Sequence, residues 1–424
     1  MTKTLPREKY EAFCSLLSEE LVPAMGCTEP IAIAYAAARA REVLGALPEK
    51  CKISVSGNII KNAKSVVVPH TNGMRGIEVA LVAGIVSADS SAKLEVLSRI
   101  SKEKVGIIAE LIETLPIELS VSDSDDAFDI AVTLISGNDS SFVRILGRHT
   151  NIVMVQKNGV TLFEGADDGK SEKKHTSLTV AEIVDFADTV DVSDVKEVLD
   201  RQIEYNMAIA EEGLRGNWGA SIGQVYLSAY APDISIKAKA YAAAGSDARM
   251  NGCELPVIIN SGSGNQGMTA SIPVVIYWQE LGLDKDKLYR ALCVSNLITL
   301  HIKHGIGTLS AYCGAVAAGA AAGAGIAYLY GGGLREIAHT LVNALAIDSG
   351  LICDGAKASC AAKIATAVEN GILGFNLFRA GKQFVGGDGI VKKGVENTIE
   401  NVCRLARDGM KDTDREILNI MVEK

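Results

Sequence analysis

The sequence predicts an α+β fold, a mainly helical domain into which a smaller α+β domain is inserted. Two observations carry that prediction. From residue 51 to about 165 the apolar pattern comes in short β-rich runs bounded by Gly, Asn, Asp and Ser, whereas from residue 178 onward it repeats at helical spacing. Between them, residues 166–177 are polar throughout and read as a linker. The expected division is therefore 1–50 as N-terminal helices packing with the later helical domain, 51–165 as the insert, 166–177 as the linker and 178–424 as the helical domain.

Taken in order, residues 6–20 alternate apolar and charged positions at helical spacing. The chain breaks at Pro23 and passes through Gly26-Cys27-Thr28-Glu29-Pro30 into an Ala-rich helix over 31–44, with Thr28 placed to cap and Pro30 in the first turn. Strands are expected at 52–56, 64–69, 117–122, 128–135, 141–148, 151–157 and 160–163, with Asn158-Gly159 as a hairpin turn between the last two. Helices are expected at 76–87 and 91–114 within the insert, then at 180–190, 192–214, 235–250, 268–280, 285–300, 309–330, 334–347, 361–370 and 398–409.

Composition excludes several classes of function. The net charge of −9 argues against nucleic acid as a partner, because binding phosphate needs a basic face. The apolar run 311–330 is the one membrane candidate, and its Ala and Gly content reads as a buried helix instead. No signal-peptide pattern opens the chain, so the nine cysteines point to a reducing, cytoplasmic setting in which thiols are free, metal-bound or catalytic. Cys14, Cys51, Cys293 and Cys403 lie in apolar contexts and read as core. Ala/Gly helix faces favour close packing and leave a homodimer open.

Three further cysteines ask for an explanation. Cys313 precedes the Ala/Gly segment, and Cys353 and Cys360 bracket the short turn Asp354-Gly-Ala-Lys-Ala-Ser359. Thiolate sulfur suits iron–sulfur clusters, and three ligands on a 4Fe-4S cluster leave one iron open to act on substrate. Buried structural thiols are the alternative. A second motif, Asn260-Ser-Gly-Ser-Gly-Asn265-Gln266-Gly-Met268, brings backbone N–H groups to a helix start, where an anion can sit. It also looks like the substrate loop of a pyridoxal-phosphate enzyme, which would need a Schiff-base lysine upstream; Lys237 and Lys239 fall in a helical pattern that counts against that role. His70, Asn72 and Arg75 share one turn, and His301, Lys303 and His304 lie just upstream of Cys313.

Together these motifs resemble the L-cysteine desulfidase family, long catalogued as an uncharacterised group and related to the iron–sulfur-dependent L-serine dehydratases. The resemblance runs along essentially the whole chain, in the family's motif order. It implies an oxygen-sensitive 4Fe-4S lyase that eliminates sulfide from L-cysteine; 2-aminoacrylate then hydrolyses to pyruvate and ammonia. L-serine is the close alternative substrate. By motif, Cys313, Cys353 and Cys360 correspond to the cluster ligands. Lys303, His304 and His70 are then the candidates for proton transfer, and Thr28, Glu29, Asn72, Ser263, Asn265 and Gln266 for holding the amino acid. The sequence departs from the dehydratases at Gly355, where they carry Pro, and at Gly26–Pro30, which lacks their His. Some dehydratases park a C-terminal cysteine on the open iron; here Cys403 or water would take that place. A non-enzymatic iron–sulfur sensor is the remaining alternative, although the chain shows no basic effector helix.

Overall fold

The computed structural model describes residues 5–124, 126–165, 178–307 and 309–422. The expected linker, 166–177, lies outside them. The fold is α+β and mainly helical, with one mixed six-stranded sheet.

Helix α1 (Arg7–Glu20) packs against the later helices α7 (Val192–Arg215) and α11 (Lys285–Ile306). Strand β1 (Pro23–Met25) follows, then α2 (Thr28–Leu44), whose residues from Thr28 to Ala38 are all buried. The expectation grouped α2 with α1. Its main packing is instead on α4 (Ile77–Ser87) and on the sheet strands β4 (Asp129–Ser136) and β5 (Asp139–Leu146). A helix apolar on every side has two faces to cover, and a sheet face covers one of them.

The sheet runs in the order β3-β2-β4-β5-β6-β7, with β2 (Lys50–Val55) parallel to β3 (Ile117–Val121) and the remaining pairs antiparallel. Asn158 and Gly159, both at positive φ, turn β6 (Ile152–Lys157) into β7 (Val160–Glu164). The strand expected at 64–69 does not form. Residues Gly57–Ala63 are a short helix, α3, and positive φ at His70, Asn72 and Gly73 folds the next stretch back, leaving one bridge from Val67 to Arg75. The helix expected at 91–114 is broken. A 3₁₀ segment, Ser90–Glu95, contains Lys93 at φ 46, and α5 (Lys102–Thr114) restarts where the Ser101 side chain caps it.

The helical body comprises α6 (Val180–Thr189), α7, α8 (Ile222–Ala229), α9 (Ile234–Met250), α10 (Gly264–Leu281), α11, α12 (Gly314–Leu329), α13 (Leu334–Ile347), α14 (Cys360–Arg379) and α15 (Val395–Arg404). A π turn, Leu405–Gly409, leads into α16 (Lys411–Val422). Helix α12 is buried from Ala315 to Leu329 and runs so close to α14 that a Cβ on Gly323 would fall 2.3 Å from the Gly371 carbonyl oxygen. No helix of the described residues is long and apolar enough to cross a membrane.

A two-stranded ribbon ties the N-terminal part of the chain to a segment past its middle. Strand β1 pairs antiparallel with β8 (Pro256–Ile258), Ala24 opposite Val257. Strand β1 leads into α2 and β8 into α10.

Candidate active site

Four helices begin at one chamber, namely α2, α10, α12 and α14, and first-turn residues of each line its wall. Their N-cap residues are Cys27, Ser263, Cys313 and Ser359, and none of these side chains bonds a first-turn N–H. The positive ends of four helix dipoles therefore meet around one space, an environment for negative charge.

The sequence places each start there by local means. The Asn260–Ser263 turn closes on itself, with each backbone N–H donating to the other's carbonyl at 3.1 and 3.0 Å, and with Ser261 and Gly262 at positive φ. Buried amides fix its root: Asn260 Nδ2 donates to Asn296 Oδ1 at 3.0 Å, and Gln202 Nε2 to the same oxygen at 2.9 Å. On the far wall, Tyr312 bridges Ile352, Cys313 N–H donates to Leu351 O at 3.0 Å and Cys353 N–H to Ala311 O at 2.6 Å. In that antiparallel register Cys313 and Cys353 project from the same face. The turn that follows is held by Lys363, which pairs with Asp354 and donates to Ile352 O at 2.7 Å. It ends at Cys360, whose Sγ lies 3.7 Å from Gly355 O.

Cys313, Cys353 and Cys360 thus line the same chamber, together with Thr28, Glu29, Ser263, Asn265, Gln266 and Lys303. The expected helix over 309–330 would have contained Cys313; in the structure Cys313 instead caps α12, which begins at Gly314. Burial, reinforced by the Cys353 thiol, pushes Cys313 up to about 12 against the Ala315 N–H, and burial also raises Cys360. Burial lowers Lys303 to about 8, against the attraction of Cys353 and Cys313, and its Nζ donates to Gly307 O at 2.6 Å. Glu29 is buried, which raises its carboxyl, yet His149 and Cys27 bring it down to about 2. Cys27 Sγ is 3.0 Å from Glu29 Oε2; His149 Nε2 stands 3.9 Å from Oε1, an attraction rather than a hydrogen bond.

Other expected residues lie elsewhere. His70 sits between Met25 Sδ, 3.1 Å from Nε2, and Glu254 Oε1, 3.2 Å from Nδ1, and Asn72 is exposed at its turn; neither lines the chamber. The turn of positive-φ residues swings both away from it. His304 faces an outer cleft of ≈ 630 Å³, which shares His149, Ser261, Gly262 and Lys303 with the chamber. Cys403 is buried, with Sγ 3.3 Å from Ile302 O, and does not line the chamber. Lys237 and Lys239 pair with Glu280 and Glu369 outside it. Sequence reasoning missed His149, Arg249, Tyr312 and Lys363 as chamber residues. His149, just after β5 in a turn, was the most findable.

Among the described residues no group of three His, Cys, Asp or Glu side chains converges as a site for a single metal ion. The three thiols stand around a chamber.

Against known proteins, a model of the serine dehydratase alpha chain family matches residues 91–419, and the chain belongs to that family. The match points to a lyase of the serine dehydratase type. The chain is 56% identical over 418 residues to a UPF0597 protein of Desulfitobacterium hafniense (strain Y51), covering 98% of this chain and 97% of that protein. A UPF0597 protein of Lachnoclostridium phytofermentans is 50% identical over 415 residues, 97% of this chain and 100% of the relative. One from Treponema denticola is 44% identical over 429 residues, 99% of this chain and 100% of the relative.

Proposed function

We propose that the protein is an iron–sulfur-dependent lyase that eliminates sulfide from L-cysteine, giving pyruvate, ammonia and sulfide, with L-serine as the alternative substrate. The observation that carries the reading is the meeting of Cys313, Cys353 and Cys360 at one chamber lined by helix N-termini. The residues fit a 4Fe-4S cluster by the chemistry of the donor set. Three soft sulfurs lining one chamber are the donor type a cluster takes, each on its own iron. Burial raises Cys313 and Cys360, and a thiol loses its proton when it coordinates a metal. When bound, the cluster would supply a Lewis-acidic iron to draw off the leaving thiolate.

The remaining chemistry belongs to this chain. Lys303, buried and shifted toward neutrality, has a share of free amine and takes the α-proton at Nζ. The electron pair of the C–H bond forms the new double bond as the C–S bond breaks and sulfide departs. The enamine tautomerises and water hydrolyses it to pyruvate and ammonia. The Cys27 thiol, bonded to Glu29, is a second proton-holding group on the chamber wall. The N–H groups of α2 and α10 provide an anion-stabilising surface. In this reading the partner is a small amino acid in a cytoplasmic setting, with no nucleic acid or membrane, and residues 51–165 form an inserted domain beside the site. A homodimer is compatible with it.

The test is iron and acid-labile sulfide per chain on anaerobically reconstituted protein, with sulfide release from L-cysteine measured on the same sample. About four of each, with turnover that dies in air, supports the reading. Turnover without iron sinks it. Pyruvate from L-serine with none from L-cysteine moves it to the dehydratase.

A further inference from the structure

Across the described residues, few buried side-chain atoms lack a hydrogen-bond partner, and four of them line this one chamber: Arg249 Nε, Gln266 Oε1, Tyr312 Oη and His149 Nε2. Buried polar groups are normally satisfied, so a concentration of orphans at one cavity marks groups kept for something that binds there. Their residues are at most 8% exposed. Arg249 lies in the last turn of α9, donates through Nη1 to Asn265 Oδ1 at 3.0 Å and, among the described residues, forms no carboxylate ion pair. A guanidinium stays charged, and a buried one without a directly bonded carboxylate leaves part of its donor set unsatisfied. Its electrostatic neighbours, Cys27, Glu29 and Cys360, all face the same chamber.

The fold makes room for two of the orphans. A Cβ on Gly264 would fall 2.5 Å from Arg249 Nε, and one on Gly314 would fall 2.6 Å from Gln266 Cδ. Both glycines open helices at the chamber, so the helix starts and these two side chains are packed as one surface.

We infer that Arg249 and Gln266 form a reader for the backbone end of a free α-amino acid, Arg249 taking the α-carboxylate and Gln266 Oε1 accepting from the α-ammonium. The orphan set has the right polarity. Arg249 Nε–H is a donor in want of an acceptor, Gln266 Oε1 an acceptor in want of a donor, and a zwitterion supplies one of each. Arg249 has a second N–H edge beside the one that holds Asn265, which suits the two oxygens of a carboxylate. Selection then falls on free amino acids over peptides or amines, and the side chain of the ligand is left for the cysteine wall. The inference rests on the lyase reading for the identity of that side chain alone.

The experiment uses reconstituted protein and calorimetric binding of L-cysteine, cysteamine (no carboxylate) and 3-mercaptopropionate (no amine), with iron content and circular dichroism as controls. Arg249→Met should weaken L-cysteine and 3-mercaptopropionate about 100-fold and leave cysteamine within about twofold. Gln266→Leu should give the opposite pattern, weakening cysteamine and L-cysteine about tenfold while sparing 3-mercaptopropionate. Arg249→Lys, which keeps the charge, should recover part of the carboxylate preference. If both variants weaken all three ligands alike, or neither changes any, the assignment is overturned. The same crossed pattern seen only with L-serine, ethanolamine and 3-hydroxypropionate would overturn the choice of cysteine and leave Arg249 and Gln266 in their roles.

Discussion

A Cβ on Gly355 would stand 2.2 Å from the carbonyl oxygen of Lys61, and Gly355 itself holds φ +95. The turn between Cys353 and Cys360 is therefore pressed against α3, and only glycine satisfies both the backbone angle and the space. Gly355→Ala should cost about 1–3 kcal/mol and displace the turn. The expected outcome is a lower melting temperature together with less iron bound after reconstitution. Full iron loading at unchanged melting temperature would contradict it.

The cysteines separate by place. Serine at Cys313, Cys353 or Cys360 should remove iron and sulfide release together. Serine at Cys403, whose thiol is spent on Ile302 O, should keep both. Iron and sulfide assays on the four variants check this, and loss of iron in Cys403→Ser would make that residue a ligand.

In the proposed reaction Lys303 is the base. Lys303→Met should lower turnover about 100- to 10,000-fold with iron content unchanged, because the chamber wall is kept while the base is gone. Retained turnover would move the proton to the Cys27–Glu29 pair.

Asp247 supplies a pH-dependent penalty away from the cysteine chamber. Burial pushes its carboxyl up to about 6, against the Gly223 N–H that it accepts at 3.1 Å, and its Oδ1 has no partner. The folded chain keeps this proton to higher pH than the unfolded chain does. Stability therefore falls as pH rises from about 4 to about 6, and the penalty is complete above that range. Asp247→Asn keeps an acceptor and removes the charge, so it should stabilise by about 1–2 kcal/mol at pH 7.5 and by little at pH 4. Thermal melts at the two pH values decide; an equal gain at both would refute the titration argument.

Much of the site was legible where local chemistry writes it. Thr28, Ser263, Asn265 and Gln266 stand at helix starts that Gly, Ser and Asn announce, and the three cysteines were visible by type. Arg249 was not legible, since in its Ala-rich stretch it looks like one more helical surface charge. Only the packing of α9 beneath the 260–263 turn buries it. His70 and Asn72 looked like site residues because His, Asn and Arg share a turn, but sequence does not say which way a turn faces. Residues 64–69 read as a strand because Val66, Val67 and Val68 are β-branched and buried; they are buried as an irregular segment, where local propensity yields to tertiary packing.

The β1–β8 ribbon has a consequence for synthesis on the ribosome. It pairs residues near the start of the chain with residues past its middle, and the last of the three chamber cysteines comes later still, at Cys360. No emerging fragment that stops short of α14 holds a complete set of thiols. The three-cysteine chamber can therefore close only once most of the chain has left the exit tunnel, and until then Cys27 and Cys313 emerge separately.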